Sequence, residues 1–401
     1  MNTKIIPQMK YKLEKQLEYI EEIAEKKNEE IENYYYNKYY YLFELLINFL
    51  KKRDILMYGG SAINEVLKKK IYKKYELPDI DIYCYESSKF IKDIIQYYKS
   101  NDIIIISAKE ALHENTFKLY TEGIQILDIT NVSKDDFANL KKNSIQTSLG
   151  IRSVSINLLK YSIHALSSQS YDAFRWSKVY PRMLQIYEEY PLDLPCKLKL
   201  NDYYVNIPKE IDEKIQYFIK KENVPSFGWD TVSTYLKDDP LYRKISVNID
   251  GLPIRYVIYD GDIKLIAKLL LNECDDINLK IVETYKGDLH LPSYVTIGYK
   301  EEKCLYIFNT NVCLSVVDVN ANKLLSIHSI ITLFYAMYFS SNSNDLLCVI
   351  QMLTGQLFKN LLSRKKLFNN FSLVCYGKQT GIVTLRRERD LRKKNKNLFK
   401  K

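Results

Sequence analysis

The 401-residue sequence predicts an α+β protein with a mixed-sheet core, helices before that core, and a second α+β domain after it. Three patterns support this. Residues 8–52 have apolar side chains at helical spacing, residues 53–145 alternate short strands with helices, and the chain beyond residue 193 has further strands and helices. A chain of this length favours several domains. The predicted divisions are 1–52, 53–192, 193–385 and a basic tail at 386–401.

The N-terminal segment predicts a helix pair or one broken long helix. Its apolar stripe consists of Leu42, Leu45, Leu46, Phe49 and Leu50. The same segment has two tyrosine triplets, at 34–36 and 39–41. Tyrosines can stack on nucleic-acid bases, although packing is the more general use of aromatic side chains.

The core begins with a short apolar strand at 55–58, which Gly59 and Gly60 stop. Ser61 is predicted to cap a helix that reaches about residue 70. A strand at 79–85, a helix after residue 87 and a strand at 103–107 follow. Residues 116–121 and 124–130 predict an antiparallel hairpin, because Glu122-Gly123 is a typical two-residue turn.

A glycine turn that opens a helix suits a nucleoside triphosphate. Glycine lets the backbone approach phosphates closely, and free N–H groups at a helix start point toward anionic oxygens. Gly59, Gly60 and Ser61 are therefore candidate nucleotide-binding residues, with the Ser61 hydroxyl as a further donor.

Three aspartates provide the matching metal chemistry. Asp79 and Asp81 are two residues apart on a predicted strand, so both side chains share one face. Adjacent carboxylates repel, and a cation resolves that repulsion. Asp128 lies between apolar residues on a later strand, where a carboxylate is costly without a partner. We predict that the three hold two Mg²⁺ or Mn²⁺ ions and catalyse nucleotidyl transfer from a triphosphate.

Two helices are predicted after the core, at 155–168 and 171–190, the second kinked or restarted at Pro181. Arg175, Lys178 and Arg182 fall on one face of the second helix, and Lys160 lies on the first. These bases could bind the triphosphate or a primer, or form a solvated surface.

The region beyond residue 193 has weaker signals. It predicts strands at 245–247, 255–259, 294–299, 304–308 and 314–319, and helices at 263–271, 326–338 and 345–362. Asp260-Gly261-Asp262 repeats the D-x-D spacing on a glycine turn, where Asp and Gly are common, so we interpret it as a loop.

The net charge of +10 favours an anionic partner. Residues 386–401 contain nine bases and two acids, which indicates a disordered, solvated tail that could follow a phosphate backbone. The seven scattered cysteines predict free thiols in a reducing compartment and no zinc site. No signal-peptide or membrane-spanning pattern is visible, so a cytoplasmic location is expected.

Four segments together resemble a known family: 58–64 (YGGSAIN), 78–83 (PDIDIY), 126–128 (ILD) and 174–182 (FRWSKVYPR). They resemble the poly(A) polymerase catalytic subunits of large cytoplasmic DNA viruses, especially the giant-virus type, within the DNA polymerase β-like nucleotidyltransferases. The resemblance spans about residues 54–190. It implies template-independent addition of AMP from ATP to RNA 3′ ends in the host cytoplasm, a viral factory or the virion.

The resemblance also implies partners. Some members of the family are homodimers, and the poxvirus enzyme pairs with a cap methyltransferase subunit. Here the N-terminal segment is shorter than the poxvirus one, and a Lys-rich loop is inserted between Ser61 and Asp79. A processivity or methyltransferase partner therefore stays open. So do two other functions: a CCA-adding, protein-modifying or small-molecule-modifying transferase, and a catalytically inactive RNA-binding scaffold.

Overall fold

The computed structural model describes residues 5–247, 249–310, 312–363, 365–369 and 371–398. By its internal contacts, the chain divides into two compact units. The first unit is Met1–Ser155 with Arg389–Lys401, and the second unit is Ile156–Glu388. The helices after residue 155 pack within the second unit.

The first unit is built on a mixed sheet. Its elements are α1 (Ile5–Leu50), β1 (Leu56–Tyr58), α2 (Gly59–Val66), β2 (Asp81–Cys84), α3 (Ser87–Lys99), β3 (Ile106–Glu110), β4 (Thr116–Thr121), β5 (Ile124–Asn131), α4 (Lys134–Lys142), β6 (Ile145–Gln146) and β7 (Arg152–Ser153). The strand order is β3-β4-β5-β2-β1-β7-β6. β2 runs parallel to β5, and β1 runs antiparallel to β2.

Part of the core of the first unit lies where α1 and α3 pack together. Leu42, Leu46 and Leu50 of α1 are at most 1% exposed. The Tyr98 hydroxyl of α3 donates to the Leu42 carbonyl at 2.6 Å, which fixes the two helices together. The predicted apolar stripe is therefore the part of α1 that anchors it.

α1 is one continuous helix, so the predicted pair or break is wrong. Residues 8–50 contain neither glycine nor proline, and the sequence therefore provides no residue that would interrupt the helix. Ion pairs at helical spacing, such as Lys26 with Glu22 at 3.3 Å, line its exposed part.

The predicted hairpin is present as β4 and β5. Glu122 and Gly123 both have positive φ, 48° and 81°, as expected for a turn whose twist matches the flanking strands. A β-bulge between Leu119 and Tyr120 then shifts the register by one residue, so that Lys118 lies opposite Asp128.

The second unit is also α+β, as predicted. Its elements are α5 (Ile156–Ser168), α6 (Trp176–Glu189), β8 (Tyr204–Val205), α7 (Lys209–Lys221), α8 (Trp229–Leu236), α9 (Pro240–Ile245), β9 (Leu252–Pro253), β10 (Arg255–Tyr259), α10 (Ile263–Cys274), β11 (Leu279–Tyr285), β12 (Tyr294–Tyr299), β13 (Glu302–Asn309), β14 (Leu314–Val319), β15 (Asn322–Leu325), α11 (Ile327–Ser341), α12 (Asn344–Lys359) and β16 (Cys375–Tyr376). The sheets have the orders β10-β13-β12-β11, β15-β14-β16 and β8-β9.

Two local predictions in this unit are wrong. Ile245 ends α9 instead of starting a strand, because the Asp239 side chain accepts from the N–H groups of Leu241 and Tyr242 and caps a helix. The predicted break at Pro181 falls earlier: a 3₁₀ helix, Ser170–Arg175, precedes α6, and Pro181 lies inside α6.

The basic tail is also more ordered than predicted. Residues 386–398 belong to α13 (Ile382–Leu398), while residues 399–401 lie outside the described part of the chain. The Arg392 guanidinium donates to Glu110 at 2.8 Å and to the Leu112 carbonyl at 3.2 Å. Both contacts lie within the first unit, so Arg392 is a structural residue of that unit.

Four of the seven cysteines are paired, contrary to the prediction of free thiols. Disulfides join Cys196 to Cys348 and Cys313 to Cys375, with Cα–Cα distances of 5.3 and 5.4 Å. The partners are 152 and 62 residues apart, so their spacing in the sequence did not reveal them. Cys84, Cys274 and Cys304 are free and buried.

Among the helices in the described ranges, none combines the length and apolar character needed to cross a lipid bilayer.

Candidate active site

The sheet brings two of the three predicted acids side by side. Asp81 of β2 is the register partner of Asp128 on the parallel strand β5. Asp79 is exposed and lies just before β2, which begins at Asp81 and not at residue 79 as predicted. The Asp128 N–H donates to the Ile80 carbonyl at 2.9 Å, so β5 also fixes the segment that contains Asp79.

Gly59 allows the Asp81 carboxylate to lie against the turn that follows β1. Tyr58 pairs with Asp81 across the two strands, and Gly59 follows with φ +70°. A Cβ added to Gly59 would overlap the Asp81 carboxylate. The glycine is therefore required by its close approach to the acid as well as by its left-handed backbone.

α2 begins at Gly59, with Tyr58 as the N-cap, so the prediction that Ser61 caps this helix is wrong. The Tyr58 side chain makes no capping hydrogen bond, and the first turn comprises Gly59, Gly60 and Ser61. Free N–H groups at a helix start suit a phosphate. The Ser61 hydroxyl is buried and donates to the Asp79 carbonyl at 2.5 Å, so in the structure it holds the Asp79 segment.

Asp128 has a cationic partner that the sequence did not reveal. The Lys118 ammonium donates to Asp128 Oδ2 at 2.8 Å, and Gln125 Nε2 donates to Oδ1 at 2.9 Å. Burial raises the pKa of the Asp128 carboxyl, Lys118 opposes that shift, and the charge of Asp79 adds to it. Burial lowers the pKa of Lys118, but Asp128 outweighs burial, and the net pKa is raised.

Two tyrosines pack beside the acids. Tyr58 and Tyr83 stack with ring centroids 4.0 Å apart, and the Tyr58 hydroxyl contacts Thr130 Oγ1 at 2.8 Å. Burial and the Asp81 charge raise the pKa of Tyr58 far above its ordinary value, so its phenol is neutral. Tyr58 is therefore a rigid, uncharged wall of the site.

The side chains of Asp79, Asp81 and Asp128 provide oxygen ligands that suit a hard divalent ion. They are not arranged around one ion position in the structure. Within the described ranges, no group of three or more His, Cys, Asp or Glu side chains is arranged to hold a metal. The half-buried Asp128 carboxylate instead binds the Lys118 ammonium, which occupies a position where the negative charge of Asp128 favours a cation. Aspartate oxygens are the ligands that Mg²⁺ and Mn²⁺ prefer.

The predicted basic residues all lie in the second unit. Arg175 and Lys178 are exposed and Arg182 is half-buried, which agrees with a solvent-facing basic surface. Lys160 is only 1% exposed and does not join that surface. Its ammonium donates to the Tyr190 carbonyl and lies 4.4 Å from the centroid of the Tyr187 ring, and burial lowers its pKa to about 8.

The second D-x-D is a structural feature of the second unit. The Asp262 side chain accepts from the N–H groups of Lys264 and Leu265 and caps α10. This agrees with its interpretation as a loop.

The mixed sheet of the first unit pairs two acids beside a glycine turn, as the motifs predicted. Residues 44–173, about a third of the chain, match the family model described as poly(A) polymerase catalytic subunit. The resemblance inferred from the motifs is thereby confirmed.

Two further comparisons agree. A protein of Acanthamoeba polyphaga mimivirus, provisionally named a poly(A) polymerase catalytic subunit, is 26% identical over 187 residues. That match covers 45% of this chain and 30% of the mimivirus protein, well under half of the relative's length. The crystal structure of the Megavirus polyadenylate synthase shares the fold, with a TM-score of 0.73 and 19% identity over 90% of this chain and 78% of that one.

Proposed function

We propose that this protein is a poly(A) polymerase, which adds AMP from ATP to the 3′ ends of RNA without a template. The observation that carries the proposal is the Asp81–Asp128 pair on parallel strands beside the Gly59 turn. This pair lies within the residues that match the poly(A) polymerase family model.

Each part of the site has a role in that reaction. The N–H groups of the first turn of α2 bind the triphosphate, and Gly59 keeps the space beside Asp81 open. Asp79, Asp81 and Asp128 hold two Mg²⁺ or Mn²⁺ ions. When bound, such ions lower the pKa of the attacking hydroxyl and neutralise charge on the phosphates.

The exposed bases Arg175 and Lys178 are proposed to contact the triphosphate or the primer. Lys160 is left out of this role, because its ammonium is buried against Tyr187 and Tyr190.

RNA and ATP are the proposed substrates. Only the family resemblance supports three further properties: a homodimer, a processivity or cap methyltransferase subunit, and a cytoplasmic or virion location.

Extension of a 5′-labelled RNA primer, with each of the four nucleoside triphosphates supplied separately, tests the activity. We expect extension with ATP and Mg²⁺ or Mn²⁺ and little with the other three. Preference for CTP would indicate a CCA-adding enzyme. Labelling of a protein or small molecule would indicate a different acceptor.

One observation supports a second candidate, a non-catalytic RNA-binding scaffold. Lys118 already neutralises Asp128, and the described acids form no ready metal cluster. RNA binding without nucleotide addition under any metal, and unchanged when all three aspartates are replaced, would support the scaffold.

A further inference from the structure

The loop inserted between α2 and β2 is folded and tied to the site. Asn64 Oδ1 accepts from the N–H groups of Ile71 and Tyr72 at 2.9 and 3.1 Å, and the Lys70 ammonium donates to the Asn64 carbonyl at 2.9 Å. Asn64 is only 7% exposed. One buried amide therefore organises the loop.

This loop closes against α1 and forms a cavity of about 290 Å³. We call it the tyrosine–lysine pocket; the residues used to define it are Tyr36, Tyr40, Tyr72, Lys73 and Lys74. The three tyrosines are half-buried. The volume is near the lower limit of small-molecule sites, roughly 300 Å³, which suits one nucleotide-sized group.

The aromatic wall is preassembled. Tyr36 and Tyr40, one helical turn apart on α1, stack with ring centroids 4.5 Å apart and an interplanar angle of 23°. Tyr75 of the loop meets the Tyr36 ring edge-on at 6.0 Å. Packing of this kind fixes ring orientation, so little side-chain entropy remains to be lost when a flat ligand binds.

The charge around the pocket is basic. Five lysines lie between residues 68 and 74, all exposed: Lys68, Lys69, Lys70, Lys73 and Lys74. The acids nearby are Glu44 on α1, Glu65 and Glu76. Glu65 pairs with Lys70 at 3.4 Å, and Glu76 accepts from the Lys73 N–H at 3.1 Å, so both acids are already engaged.

We propose that the tyrosine–lysine pocket binds a nucleotide of single-stranded RNA, upstream of the 3′ end that the enzyme extends. Stacking tyrosines combined with flanking lysines form the chemistry that recognises single strands without reading their sequence. A phosphate ion alone would leave the aromatic wall unused. The inference rests on the proposed function, because it takes RNA as the substrate.

The pocket adjoins the backbone segment that contains Asp79. Ser61 lines the pocket, its hydroxyl contacts the Tyr72 hydroxyl at 3.2 Å, and the same hydroxyl donates to the Asp79 carbonyl. An occupant would therefore lie one side chain away from the segment that contains Asp79, which suits a primer held close to its reacting end.

RNA affinity, measured by fluorescence anisotropy with a labelled 15-nucleotide RNA and no ATP, tests the pocket separately from the activity. The variants are Tyr36→Leu/Tyr40→Leu and Lys73→Ser/Lys74→Ser. Matched controls on the exposed part of α1 are Tyr11→Leu/Tyr19→Leu and Lys26→Ser/Lys27→Ser.

We expect each pocket double variant to raise the RNA dissociation constant about tenfold, because the tyrosine variant removes base stacking and the lysine variant removes phosphate contacts. The lysine variant should also lower the salt slope by about 1.4, at roughly 0.7 per phosphate contact. The controls should leave both unchanged.

Unchanged affinity and salt slope in both pocket variants would overturn the proposal. So would an unchanged RNA affinity with a raised KM for ATP, because the pocket would then bind the triphosphate. Photocrosslinking of the wild-type protein to 4-thiouridine RNA, followed by peptide mapping, guards against a folding defect: adducts should fall on Tyr36, Tyr40 or Tyr72. RNA binding through the pocket without nucleotide addition would sink the polymerase proposal and leave the pocket standing.

Discussion

Asp128 occupies a partly buried position where a carboxylate needs a cation, and the structure provides one from the neighbouring strand. The side chain of Asp128 is 15% exposed, and Lys118 lies 2.8 Å from it. An ammonium in this position competes with any divalent ion for the same oxygens. We infer that Lys118 neutralises the Asp128 carboxylate until a metal enters.

Replacing Lys118 with methionine should therefore strengthen metal binding. Removing a positive charge about 4 Å away changes the energy of a cation by roughly 1 kcal/mol or more, so the Mn²⁺ dissociation constant should fall about tenfold. Counting bound Mn²⁺ by electron paramagnetic resonance measures this directly. Lys109→Met is the control, since Lys109 is the cross-strand neighbour of Lys118 on β3. Unchanged or weaker Mn²⁺ binding in Lys118→Met would contradict the competition.

Gly59→Ala should abolish nucleotide addition, because its Cβ would overlap the Asp81 carboxylate. Gly123→Ala is a matched control: Gly123 also has positive φ, +81°, but a Cβ there meets nothing within 4 Å. Both variants should lose about 1 kcal/mol of unfolding free energy from backbone strain. Primer extension and thermal unfolding separate the two effects. Equal activity in both variants would show that Asp81 does not need this space.

The spacing of the three acids was visible in the sequence, but the contact of Lys118 with Asp128 was not. A regular two-residue hairpin at Glu122-Gly123 places Lys118 opposite Leu127, on the wrong face of the sheet. The bulge between Leu119 and Tyr120 moves it opposite Asp128. Nothing in the local sequence specifies that bulge, so the ion pair becomes visible only in the folded strands.

At the scale of elements, the second unit is held together by a polar network between helices. His164 of α5 contacts His328 of α11 through their Nδ1 atoms at 3.0 Å. The Tyr187 hydroxyl contacts His164 Nε2 at 2.8 Å, and the Tyr180 hydroxyl contacts His328 Nε2 at 3.0 Å. One histidine donates and the other accepts, so the accepting ring is neutral. Burial lowers the pKa of both histidines and so favours the neutral form of the donating ring as well.

This network should make stability depend on pH. Burial lowers the pKa of His328 to about 3, and burial with the charges of His328 and Lys160 lowers that of His164. Below the unfolded value of about 6.5, the unfolded chain binds protons that the folded chain does not. Stability is therefore full above pH 6.5 and falls as the pH drops toward 3.

We expect a slope of up to about 1.4 kcal/mol per pH unit for each histidine. Denaturant unfolding between pH 7.5 and 5 measures it. His328→Asn should flatten the slope, whereas His113→Gln, at an exposed position of the first unit, should leave it unchanged. An unaltered slope in His328→Asn would contradict this account.

Long, regular elements were predictable, and interruptions were less so. The strands at 255–259, 294–299 and 314–319 have the predicted bounds. The structure has neither the break predicted in α1 nor the strand predicted at 245–247. Residues 8–50 of α1 contain no glycine or proline, and Asp239 caps a helix where Ile245-Ser246-Val247 suggested a strand.

At the scale of the whole molecule, the two disulfides are the feature that the sequence did not predict. Scattered cysteines show no spacing pattern, and only the fold brings Cys196 to Cys348 and Cys313 to Cys375. The four paired cysteines therefore do not support a reducing compartment.

Peptide mapping without reductant should recover both cysteine pairs. Cys84, Cys274 and Cys304 should react with an alkylating reagent only after unfolding, because all three are buried. Reduction should lower the unfolding free energy by about 2–4 kcal/mol per disulfide. Recovery of all seven cysteines as free thiols from the native protein would contradict the pairing.

The structure of the inserted loop was also not predictable from the sequence. Its lysines were visible in the sequence, but its packing against the α1 tyrosines, which forms the tyrosine–lysine pocket, depends on Asn64 and on the straight course of α1. The acid and glycine motifs are local and visible in the sequence, whereas the pocket is made by residues roughly 35 positions apart and is not.

The most direct test of the central claim is single-turnover addition of AMP to an RNA primer by the wild type, Asp81→Asn, Asp128→Asn and the exposed control Asp135→Asn. If the strand-paired acids act in nucleotidyl transfer, the first two variants should lose at least about 100-fold in rate, as is usual when a group that stabilises a transition state is removed. Asp135→Asn should match the wild type. Folded Asp81→Asn or Asp128→Asn protein that extends the primer at the wild-type rate would contradict the account.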